Sequence, residues 1–93
     1  MIRSFGDKNT ERLWNRERVS SYDQRILKVA LRKLRQVGSA TVLDDLRVPP
    51  GNRLEALKGD RQGQHSIRVN DQWRICFMWK DGGAEDVELV DYH

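Results

Sequence analysis

Apolar positions recur first at helical spacing and then at strand spacing. Ile2-Arg3-Ser4-Phe5 alternates and reads as a short first strand. Gly6-Asp7 supplies a break and an N-cap, and a polar helix over residues 10–18 is anchored by Leu13 and Trp14. Ser20-Ser21-Tyr22-Asp23 offers a second helix start. From there to Val37 the apolar residues Ile26, Leu27, Ala30, Leu31, Leu34 and Val37 form a stripe wide enough to face a core, with Gly38 at the expected helix stop. Arg25, Lys28, Arg32 and Arg35 fall on the remaining surface, where a solvated face is their expected role.

Residues 38–52 read as a long connection, stiffened at its end by Pro49-Pro50-Gly51-Asn52. Strand-type segments follow at 53–58, 65–70, 73–80 and 84–92. The order β-α-α-β-β-β-β predicts an α+β fold. Its two N-terminal helices should pack on one face of a mainly antiparallel sheet.

Length and composition narrow the function. Ninety-three residues suffice for a single domain spanning 1–93. The single cysteine, Cys76, excludes an intrachain disulfide and suits a reducing compartment. No stretch approaches the ~20 apolar residues of a membrane span. The opening Met-Ile-Arg-Ser-Phe is no signal peptide, so a soluble, cytoplasmic protein with no membrane partner is expected. Seventeen Lys and Arg outweigh fourteen Asp and Glu, and the net charge of +3 tilts expectation toward an anionic partner such as nucleic acid. Two histidines and one cysteine leave no ligand set for a zinc site, and no Gly-rich phosphate loop is present, so neither a metal nor another cofactor is expected.

The hairpin around Asn70-Asp71-Gln72 carries the sharper clue. Ile67 and Val69 share one face, as do Trp73, Ile75 and Phe77; Ser66, Arg68, Arg74 and Cys76 point the other way. A two-residue turn would set Arg68 against Ile75 and mix the faces. A three-residue turn pairs Ile67 with Ile75 and Arg68 with Arg74. Directly opposed arginines repel, so the pair is either splayed into water or arranged to clamp an anion such as a phosphate. In the last hairpin, pairing Ile75 with Leu89 leaves Val90 and Asp91 on the wrong faces. A β-bulge near Leu89-Val90 would bring Asp91 and His93 onto the arginine face; fraying of the terminal residues is the alternative. Trp14, Trp73 and Trp79 are expected in the core or at the sheet edge.

Residues 53–77, Leu43-Asp44-Asp45-Leu46-Arg47-Val48-Pro49-Pro50-Gly51-Asn52 and the terminal 88–93 closely resemble the HigB family of the RelE/ParE toxin superfamily. The most specific blocks are Leu57-Lys58-Gly59-Asp60-Arg61 and the run from Ser66-Ile67-Arg68 to Trp73-Arg74-Ile75. The resemblance implies a RelE-like fold. It also implies a metal-independent, ribosome-dependent endoribonuclease that cuts mRNA near the decoding site of the 30S subunit. The implied partner is a HigA-like helix-turn-helix antitoxin, which would link the toxin indirectly to operator DNA. Carried over position by position, the implied active surface is Lys58, Arg68, Arg74, Asp91, Tyr92 and His93.

For these residues the resemblance implies an in-line attack by the RNA 2′-hydroxyl that gives a cyclic phosphate. Arg68 and Arg74 would stabilise the phosphoryl oxygens. His93 is the natural proton carrier, and Asp91 would accept the 2′ proton or orient a neighbour. Lys58 would hold a phosphate and Tyr92 would stack on a base. The alternative within the superfamily is a ParE-like, non-enzymatic toxin that binds a topoisomerase, and a plain basic RNA- or protein-binding module is a third class.

Overall fold

Asp7 starts the first helix of the computed structural model, which describes residues 1–91. Its carboxylate accepts the Thr10 backbone N–H at 2.8 Å and so satisfies a donor that every helix start leaves open. This helix, α1 (Lys8–Trp14), begins and ends earlier than the pattern predicts, because Arg16 turns to φ 62° and stops the helical run. The second helix, α2 (Gln24–Ser39), is capped by Asp23, which accepts the Arg25 N–H at 2.9 Å. Ile26, Ala30, Leu34 and Val37 of its stripe are buried.

Gly38 does not stop α2 but lies inside it. The indole of Trp14 closes on that position, and a Cβ there would stand 3.0 Å from Trp14 Cη2. The glycine therefore serves the approach of α1 to α2 rather than a helix end.

The connection after α2 winds into two short 3-10 turns, Leu43–Arg47 and Pro50–Asn52. Asp45 Oδ2 accepts from Thr41 N at 2.9 Å, Val42 N at 3.2 Å and Thr41 Oγ1 at 3.1 Å, which holds its carboxyl below the usual range. A four-stranded antiparallel sheet follows in the order β1-β2-β3-β4. Its strands are β1 (Glu55–Ala56), β2 (His65–Arg68), β3 (Trp73–Lys80) and β4 (Gly83–Asp91). The strand expected at 53–58 shrinks to two residues because Arg53 takes a left-handed φ of 47°. Residues 2–5 do not form a strand of their own. They make two isolated parallel bridges along β4, Ile2 to Ala84 and Phe5 to Val87.

Both helices cover one face of the sheet. Leu13, Ile26, Ala30, Leu34 and Val37 pack with Ile67, Val69, Ile75, Phe77, Val87 and Leu89 in one core. Trp14, Trp73 and Trp79 lean against it half-buried, as expected of core-edge residues. α1 is also pinned to the sheet by a polar contact, since the fully buried Thr10 Oγ1 accepts the Leu89 N–H at 2.9 Å. Among the described residues no helix is long and apolar enough to cross a membrane.

Thr10→Val keeps the shape but strands the Leu89 N–H in the core. It should cost about 1–3 kcal/mol of unfolding free energy in urea titrations. An unchanged midpoint would show that Thr10 does not tie α1 to β4.

Candidate functional site

The turn between β2 and β3 fixes what the outer face of the sheet presents. Asn70 Oδ1 accepts the N–H groups of Gln72 and Trp73, each at 2.8 Å, and closes a local loop that asparagine forms readily. The Val69 N–H reaches Trp73 O at 2.9 Å, which leaves Asn70-Asp71-Gln72 as the three-residue loop. Ile67 then stands opposite Ile75 and Arg68 opposite Arg74, the register expected from the alternation. The two arginines share the face away from the helices.

Their guanidinium groups are held by different partners. Arg74 lies down on the sheet with 13% of its side chain exposed; Nε donates to Ser66 Oγ at 2.8 Å and Nη2 to Arg53 O at 2.8 Å. Glu55 lies 3.5 Å from the same Nη2. Arg68 stays 31% exposed and pairs with the fully open Asp71 of the turn. These contacts offset the like-charge repulsion of the opposed pair. They also differ in kind: Arg74 is braced by neutral acceptors in a partly dry site, whereas the Arg68 pair sits in water and is readily exchanged for another anion.

A third cation belongs to this face. Arg61, in the 3-10 turn Gly59–Arg61, donates to Glu88 Oε1 at 2.8 Å and to Gln64 Oε1 at 3.0 Å. Glu88 stands opposite Cys76, which places it beside Arg74 on the same side of the sheet. Cys76 itself is fully buried, and burial pushes its thiol pKa up, so it is a packing residue rather than a nucleophile. Among the described residues no group of three or more His, Cys, Asp or Glu converges as metal ligands would.

Asp91 does not stand beside Arg74. β4 carries its bulge at Asp86-Val87, where the register slips between Cys76 and Met78, and not at Leu89-Val90. Asp86 takes φ 53°, a conformation that aspartate tolerates better than most residues. The extra residue is consumed there because Ser4 Oγ accepts the Asp86 N–H and Ser4 O accepts the Val87 N–H, locking the bulge to the N-terminal segment. Beyond it β4 alternates simply, so Val90 faces Arg74 and Asp91 faces Trp73. Asp91 Oδ2 accepts Gln72 Nε2 at 3.1 Å.

Lys58 is exposed at the start of the turn carrying Arg61, just after Leu57, whose N–H donates to Gln64 O beyond the ends of β1 and β2. Tyr92 and His93 lie outside the described residues. The structure thus brings Arg68 and Arg74 together and puts Asp91 on the opposite side of β4 from them. Sequence reasoning missed Arg61, Glu55, Glu88 and the Arg53 carbonyl as partners. Only Ser66 was legible, through its shared parity with Arg68.

A family model described as the RelE-like toxin of the type II toxin–antitoxin system HigB matches residues 3–93. The chain is 32% identical to the Endoribonuclease HigB of Proteus vulgaris over 93 residues, all of both proteins. It is 50% identical to the Toxin HigB-1 of Vibrio cholerae serotype O1 over 58 residues, which span 62% of this chain and 61% of that relative. Among solved structures, a YoeB-YefM complex from Staphylococcus aureus superimposes with a TM-score of 0.62 at 14% identity, covering 100% of this chain and 98% of that one. At that identity the likeness concerns the fold, which is RelE-like.

Ser66→Ala removes a neutral acceptor from the Arg74 guanidinium and should cost about 1.5–3 kcal/mol in urea unfolding. Asp71→Asn, which breaks an exposed ion pair, should change stability by less than about 1 kcal/mol. Equal losses from the two substitutions would mean that the two arginines are braced alike.

Proposed function

The chain belongs to the HigB-like family of RelE-like toxins of type II toxin–antitoxin systems, and from that premise we propose that it is an endoribonuclease acting on mRNA in the translating ribosome without a metal. The observation that carries this reading is the cross-strand pair Arg68 and Arg74 on the uncovered face of the sheet. The Proteus vulgaris relative, matched over its whole length and named as an endoribonuclease, supports it.

RNA supplies its own nucleophile, so the enzyme needs only to orient it and manage protons and charge. The 2′-oxygen attacks the adjacent phosphorus in line and the 5′-oxygen departs, leaving a 2′,3′-cyclic phosphate. Arg74, preset by Ser66 and the Arg53 carbonyl, faces developing charge on the phosphoryl oxygens without reorganising. Arg68 gives up Asp71 for the phosphate, an exchange of one exposed anion for another. His93 serves as proton carrier and Tyr92 as a stacking platform. Lys58 contributes positive charge at the rim. Asp91, turned toward Trp73 and Gln72, acts by orienting the last residues rather than by touching Arg74. A helix-turn-helix antitoxin of the HigA type is the partner in this reading, carrying the toxin to operator DNA, and the cytoplasm is its compartment.

Brief induction followed by primer extension on cellular mRNA tests the proposal. Discrete cuts that require translation are expected, and in a purified translation system they should need no divalent ion beyond the magnesium that keeps the ribosome assembled. Arg74→Ala should lower cleavage on the order of 10²-fold or more while the fold survives. Deleting His93 should likewise relieve growth arrest. Intact mRNA with signs of DNA damage would instead identify a topoisomerase-directed toxin.

A further inference from the structure

α2 carries a residue that its apolar stripe does not predict. Lys33 occupies a core-facing position between Ala30 and Val37 and is 6% exposed. An ammonium group is costly to bury, and among the described residues none of the ion pairs supplies it with a carboxylate. Burial lowers its pKa, and the charges of Arg32 and Arg68 lower it further. A leucine or methionine would fill the same position at less cost, so what the lysine adds is the contact its nitrogen makes.

That nitrogen donates to Asn52 Oδ1. Asn52 is fully buried, and its Nδ2 points at Gln36 Oε1 (3.0 Å), Leu46 O (3.1 Å) and Val48 O (3.4 Å). With the amide nitrogen committed to those acceptors, only the carbonyl oxygen is left to face Lys33. Asn52 thereby ties α2 to the 3-10 turn Leu43–Arg47 and to the stretch behind it. The next residue, Arg53, is held at φ 47° and ψ 54°, and its carbonyl receives Arg74 Nη2 at 2.8 Å. We infer that Lys33 is a positioning residue for the candidate site: through Asn52 it fixes the carbonyl that braces the Arg74 guanidinium. Without that carbonyl Arg74 would keep its Nε contact to Ser66 and its ion pair with Glu55, and could pivot further toward that carboxylate.

The inference rests on the proposed nuclease reading for its effect on catalysis but not for its structural content. Both are measured on Lys33→Met, which keeps the length and removes the donor, with Ile26→Val as a control that loosens the same helix elsewhere. In the first arm, hydrogen exchange of the Arg74 guanidinium N–H groups is followed by NMR. Lys33→Met should exchange roughly tenfold faster or more, matching loss of a charge-assisted hydrogen bond, whereas Ile26→Val should not. In the second arm, RNA cleavage by Lys33→Met should fall on the order of 10- to 100-fold in kcat with little change in KM, as expected of a misplaced catalytic group. Lys33→Arg, which retains a donor for Asn52, should recover most of the activity. If Lys33→Met does not fold, Lys33→Leu reports on the same link, because it also removes the donor while filling the apolar position. A folded Lys33→Met or Lys33→Leu protein with unchanged Arg74 exchange overturns the inference. A native protein that leaves RNA intact would instead overturn the nuclease reading, and the exchange arm would still judge Lys33.

Discussion

The period-two alternation of a strand, locked by the turn at Asn70-Asp71-Gln72, is the constraint on which the rest depends. Once the helices claim the face of Ile67, Ile75 and Phe77, every residue of the other parity must look outward. Arg68, Arg74 and Ser66 are therefore gathered by the same geometry that builds the core. A slip of one residue would bury the cations and expose the apolar set, a change far larger in energy than any single contact at the site. Stability of the hairpin and placement of the arginines are one requirement.

This coupling explains which parts of the molecule were legible in the sequence. Helix α2, strand β3 and the Arg68–Arg74 pairing follow from local spacing and turn length, and the structure repeats them. Gly38 misleads because its role is set by Trp14, a residue distant in sequence. The bulge misleads for a similar reason. Alternation indicated that β4 needed an irregularity, but the side chain of Ser4 decides where it falls. Lys33 was invisible as a functional residue, since a single lysine within a helical stripe carries no signal until its partner, Asn52, arrives from a loop.

The bracing of the outer face shows a graded use of charge. Arg74 is held mostly by neutral oxygen atoms, Arg61 by a half-buried carboxylate, and Arg68 by an open one. Neutral acceptors orient a guanidinium without cancelling its field, whereas carboxylates do both. The face thus keeps one cation preset, with the half-exposed Glu55 beside it, and another that is easily released to an incoming anion. Like the buried ammonium of α2, this arrangement gives up some stability for placement.

The parallel bridges that stitch Ile2 and Phe5 to β4 have a consequence for how the chain folds. Ser4 meets Asp86 across a sequence separation of 82 residues, so residues 2–5 find their neighbours only by closing a long loop. Until that loop closes, β4 lacks the clamp that Ser4 places on its bulge at Asp86 and Val87. The register of β4, and with it the placement of Glu88 and Val90 on the outer face, is therefore completed by a contact of long sequence separation and not by the hairpins alone.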